Sequence, residues 1–180
     1  MNKVLLAAVF ASLGAVSASA GAANAAASVL HETKTVDIGA SPAKIWAVIG
    51  NFSDLTWVPP VKASAATMGN TPGSVRTLDL GGPKLVERLQ SYDATTMTYT
   101  YVITPDPANV KVLPVTDYTS TITIKPSGMG GVVTWTGTFK RADQGDHPAA
   151  NMDDAAATGA IGGVYDAGLG ALKAKVAGAN

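Results

Sequence analysis

Two stretches of helical period interrupt a chain otherwise patterned with a period of two. "SVLHETKTVDIGA" alternates loosely and predicts a first strand. "SPAKIWAVIGNF" then carries a helix-start signal, Ser41 as N-cap and Pro42 at the first helical position. Ile45, Trp46 and Ile49 form its apolar stripe, and a second short helical turn is expected over Asn51 to Leu55, before Pro59-Pro60. Strand signals follow at short intervals: "VKASAATM", "SVRTLDL", "KLVERLQSY", "MTYTYVIT", "DYTSTITIKP" and "GVVTWTGTFKR", separated by Gly-, Pro- or Asp-rich turns.

The alternation assigns faces. Thr119, Thr121 and Thr123 share one side with Thr134, Thr136 and Thr138; Tyr118, Ser120, Ile122 and Ile124 share the other with Val133, Trp135, Gly137 and Phe139. One face is therefore Thr-rich and solvated, the other apolar and aromatic. From Asp153 to Val176 the period becomes helical, and Ile161, Tyr165, Leu169, Leu172 and Val176 fall on one stripe. Strand, helix, six strands and a long helix predict one α+β domain: an antiparallel sheet of about seven strands whose apolar face a final helix covers. Gly159, Gly163 and Gly170 are expected to let that helix approach the sheet.

The chain of 180 residues suits one domain, expected over 28–180. Residues 1–25 read as a cleaved signal peptide: Lys3, an apolar run of about 13 residues, then Ala18-Ser19-Ala20 and Ala23-Asn24-Ala25 as cleavage sites. The run is shorter than the roughly 20 residues a membrane span needs, so export to the periplasm without a membrane anchor is expected. There is no Cys, which removes a lipoprotein anchor and disulfides. The formal net charge is zero and no basic stripe exists, against nucleic-acid binding.

Several chemical motifs fail. "GAIGGVYDAGLG" follows no strand and lacks G-x-G-x-x-G spacing; His31 and His147 stand far apart; no Ser lies in a G-x-S-x-G elbow. "DQGDHPAANMDD" reads as a solvated loop feeding a helix N-terminus. No metal and no cofactor are expected.

"GSVRTLDLGGPKLVERLQSYD" carries more. Arg76, Leu78 and Leu80 share one face of the first strand, and Leu85, Glu87 and Leu89 share one face of the second. A hairpin symmetric about Gly81-Gly82 sets Leu78 against Leu85 and Arg76 against Glu87, with Cβ atoms about 5 Å apart. Pro83 cannot close the tightest turn, but symmetric widening preserves the pairing. Two readings stay open: a structural ion pair, or a polar handle for a ligand. Tyr99, Tyr101, Tyr118, Trp135 and Tyr165 join this apolar side, and together they suggest a mixed pocket.

"GSVRTLDLGG…LVERLQSYD", "YTYVI" and "LPVTDYTSTITI" resemble the polyketide cyclase/dehydrase-like branch of the START/Bet v 1 (SRPBCC) superfamily, over about Ser28 to Val176. The resemblance implies a helix-grip fold, a curved sheet around a long C-terminal helix, with a cavity between them into which Glu87 points. It implies a cavity-mouth loop at Leu113, Pro114 and Val115. Combined with an export signal, the pattern is most similar to MxaD-type periplasmic accessory proteins of methanol oxidation. Three functions remain in play: a non-catalytic accessory protein contacting a periplasmic dehydrogenase or cytochrome, a carrier or sensor of a small hydrophobic ligand, and a cyclase-like enzyme. Glu87 is the one credible acid or base, and an Arg76 partner weakens that role. With little charge to steer association, "WVPPV" at Trp57 to Val61 is expected to offer an apolar contact surface.

Overall fold

The computed structural model describes residues 27–178; the expected signal peptide lies outside them. The elements are β1 (Leu30–Ile38), α1 (Pro42–Ile49), β2 (Ala63–Ala66), β3 (Val75–Asp79), β4 (Lys84–Asp93), β5 (Thr98–Ile103), α2 (Pro107–Val110), β6 (Val115–Ser127), β7 (Gly130–Arg141) and α3 (Asp154–Ala177). They build one antiparallel seven-stranded sheet in the order β1-β7-β6-β5-β4-β3-β2, with α3 packed over β1 and β7. This is the α+β helix-grip architecture. Among the described residues, no helix is long and apolar enough to cross a membrane.

The two faces divide as the alternation requires. On the solvent face, threonine hydroxyls bond across strands, Thr100 to Thr121 at 2.8 Å and Thr33 to Thr136 at 2.7 Å. On the inner face Tyr99, Tyr101, Ile122, Val133, Trp135 and Phe139 are buried against Ile161, Tyr165, Leu169 and Leu172 of α3. The N-cap of α3 is Asp153, whose carboxylate accepts from Ala156 N at 2.8 Å.

Three expectations change and one element is new. Asn51 to Leu55 forms no helical turn. Asn51 Oδ1 accepts from Ser53 N at 3.0 Å and Asp54 Oδ1 from Thr56 N at 2.8 Å, so short side chains capture the amides a helix would need. Trp57 and Val58 are buried in the core rather than displayed for a partner; within that segment Pro59 and Pro60 are exposed. Close helix–sheet approach occurs at Gly162 and Gly168, while Gly159, Gly163 and Gly170 face solvent. A Cβ on Gly168 would come within 2.8 Å of the Trp135 ring. Finally, α2 had no counterpart in the period analysis, because four residues are too few to show one. Its local signal is Asp106-Pro107: the Asp106 carboxylate accepts from Ala108 N at 2.8 Å, with Pro107 at the first position.

Candidate functional site

The β3–β4 hairpin has the register that its sequence symmetry requires, Leu78 opposite Leu85 and Arg76 opposite Glu87. Leu80 N reaches past the two glycines to Pro83 O at 3.0 Å, so the wider loop keeps the pairing. Arg76 is 0 % exposed and Glu87 3 %, which makes this an interior ion pair. Arg76 donates from Nε at 2.8 Å and from Nη2 at 2.5 Å, both to Glu87 Oε2.

Its third donor, Nη1, reaches Phe52 O at 3.0 Å. In a helix that carbonyl would accept from Thr56; the irregular chain after α1 leaves it free for Arg76. The Phe52 ring then lies 4.1 Å from the guanidinium carbon and the Tyr101 ring 5.3 Å, so aromatic faces shield the charge. Burial pushes the Glu87 carboxyl up, against the pull of Arg76. Burial works against the Arg76 charge too, but Glu87, Tyr99 and Tyr101 leave it raised. With two short donated bonds on one oxygen, we assign the pair as ionised.

Beside the pair lies a closed hydroxyl network. Tyr165 of α3 meets Tyr118 at 2.9 Å and Ser120 at 3.0 Å through its hydroxyl. Trp135 donates from Nε1 to Ser120 Oγ at 2.9 Å and to Tyr101 at 3.2 Å, and Ser120 donates onward to Thr136 O at 2.8 Å. The Trp135 and Tyr165 rings stack with centroids 4.4 Å apart. Gly137 makes room for this: a Cβ there would collide with the Tyr165 hydroxyl. Burial raises Tyr99 and Tyr165 to about 12 and holds Tyr101 and Tyr118 well above the usual phenol range. At neutral pH these groups are neutral donors and acceptors, not bases. The Tyr99 hydroxyl and Trp57 Nε1 are buried without a hydrogen-bond partner.

Arg76, Leu78, Glu87, Leu89, Tyr99, Tyr101, Tyr118, Trp135 and Tyr165 thus share one interior, none more than 4 % exposed. Phe52 and Ser120 belong with them, although neither is among the site residues expected from sequence. Ser120 alternates with Tyr118 on the apolar side, a usable signal; Phe52 has none, because its role depends on a carbonyl. Of the mouth segment, Val115 lines an open recess of about 660 Å³, while Leu113 and Pro114 are half-buried beside it. Among the described residues, no cluster of three or more His, Cys, Asp or Glu is placed to hold a metal.

Comparison with known proteins agrees with this architecture. An uncharacterized protein from Bacillus thuringiensis is 32 % identical, over 82 % of this chain and 99 % of its own, with a TM-score of 0.68. Protein XoxI from Bacillus cereus is also 32 % identical, over 82 % of this chain and 95 % of its own, with a TM-score of 0.66. Ara h 8.0201, 17 % identical over 84 % of this chain and 99 % of its own at a TM-score of 0.61, shares the fold. No curated protein matches the chain. Residues 30–177 match the family described as polyketide cyclase / dehydrase and lipid transport, and the chain belongs to that family.

Proposed function

We propose that the protein is an exported, non-catalytic binding protein that assists a periplasmic alcohol dehydrogenase–cytochrome system by contact. The observation that carries the non-catalytic part is the mutual satisfaction of Arg76 and Glu87. A general acid or base must exchange its proton with a reactant within hydrogen-bond reach. Glu87 is instead held by two guanidinium donors, and the Tyr101, Tyr118 and Tyr165 phenols are neutral and bonded within the interior network. Family and fold suit hydrophobic-ligand binding. The accessory role rests on the combination of this fold with the expected export signal, an overall pattern most similar to periplasmic methanol-oxidation accessory proteins.

Deleting the gene is expected to slow whole-cell alcohol oxidation several-fold without abolishing it. Complementation with Arg76→Met/Glu87→Leu, which removes both charges and keeps apolar volume, should restore the rate. If this variant folds by circular dichroism yet loses a hundredfold or more of a measured turnover, Glu87 is a catalytic acid–base and the binding reading fails.

A further inference from the structure

The sheet forks. Pairing between β5 and β6 runs from Thr98↔Thr123 to Val102↔Thr119 and ends there. Beyond that point β5 stays with β4, through Glu87↔Ile103 and a bond from Thr104 N to Val86 O at 2.9 Å. Asn109 of α2 secures that branch: its Oδ1 accepts from Val86 N at 3.1 Å and its Nδ2 donates to Thr104 O at 2.8 Å. β6 follows the other branch with β7, through Thr116↔Lys140 and Val115↔Arg141. The recess of about 660 Å³ opens between the branches.

Its chemistry is mixed. Val102, Ile103, Val110 and Val115 supply apolar walls, and buried Tyr118 reaches it from the interior network. The β6 wall is irregular: the register shifts between Thr116 and Thr119, and Asp117 takes φ 51°, a left-handed conformation uncommon for a residue with a side chain. Three charged side chains line the recess. Asp106 caps α2, and Asp117 pairs with Lys140 at 2.9 Å. Arg88, adjacent to Glu87 but on the opposite face, is exposed, and its side chain makes no ion pair or hydrogen bond among the described residues.

We infer that this fork is a second ligand site, separate from the closed interior, which takes a small amphiphile with one carboxylate and an apolar body. The carboxylate docks on the Arg88 guanidinium, whose planar fork matches it, and the body lies along the valine and isoleucine walls. The volume falls in the range of small-molecule sites. The two aspartates are already committed to an amide and an ammonium, so Arg88 is the charge left to be answered.

Titrating the isotope-labelled protein with octanoate, 1-octanol and octylamine, each as monomer, while following amide NMR shifts tests this. Octanoate should give saturable shifts at Arg88, Val102, Asp117 and Tyr118. Arg88→Gln should weaken octanoate by about tenfold or more and leave 1-octanol unchanged, as for loss of a charge-assisted bond. Because Arg88 is exposed, the remaining resonances should not move. Equal affinity for alcohol and carboxylate, preference for the amine, shifts centred on Tyr99 and Trp57, or no saturable shift would each overturn the site. So would selective binding of an extended peptide along the free edge of β6. The accessory role can fail without touching this result, since the titration needs no dehydrogenase.

Discussion

Arg76 and Arg88 sit on neighbouring strands, and their surroundings give them opposite fates. Arg76 points inward, where a carboxylate, a backbone carbonyl and two aromatic rings answer its charge. Arg88 points outward at the fork between β5 and β6, where apolar walls surround an unanswered charge. The interior charge is answered within the fold and the charge at the recess is not. A buried, satisfied charge stabilises one arrangement of the chain, while an exposed, unsatisfied charge beside apolar surface is free to recognise something.

The sharpest way to break this comparison is to make similar changes on both sides. Arg76→Met should leave Glu87 buried without a partner and cost about 3–5 kcal/mol in urea unfolding. Arg76→Met/Glu87→Leu should cost less than either single change; additive costs would mean that the pair is not coupled.

Next in size is the contact beneath Tyr165. Gly137→Ala should cost about 1–3 kcal/mol by overpacking against the Tyr165 hydroxyl. Tyr165→Phe should cost about 1–3 kcal/mol by leaving Tyr118 and Ser120 short of a partner. Combined, they should cost less than their sum, because the phenylalanine vacates the space that the new methyl needs. Thermal or urea unfolding of the three variants checks this.

A pH series separates interior from surface in another way. Tyr99 and Tyr165 are raised to about 12, while an unfolded tyrosine titrates near 10. Above pH 10 the unfolded chain therefore loses protons that the folded chain keeps, and stability falls with rising pH between about 10 and 12. Phenolate absorbance should rise together with unfolding, not before it. An early rise in the folded state would show the network to be open.

The smallest effects belong to the recess and its rim. Arg88→Gln and Lys140→Ala should each change stability by about 0.5 kcal/mol or less, since each side chain is solvated. A loss at Arg88 comparable to that at Arg76 would erase the distinction drawn above.

Local sequence determined whatever depends on period and on neighbours along the chain. Alternation separated the threonine face from the aromatic face, the Ser41-Pro42 signal marked the start of α1, and the change to a helical period from Asp153 marked the start of α3. The Gly81-Gly82 turn dictated that Arg76 meets Glu87, because a hairpin's register follows from its loop. Tertiary structure decided the rest, because the deciding partners lie far apart in sequence. Phe52 O became an acceptor only when the turns after α1 were laid across β3. Gly137 mattered only once Tyr165 of α3 arrived above it, and Trp57 and Val58 were drawn inward by packing on Gly168. The fork at Val102↔Thr119 follows from Asn109 holding α2 to β4 while β6 stays with β7. No single strand's period encodes that divergence, since it arises from competition between two pairings, and it is what opens a recess beside Arg88.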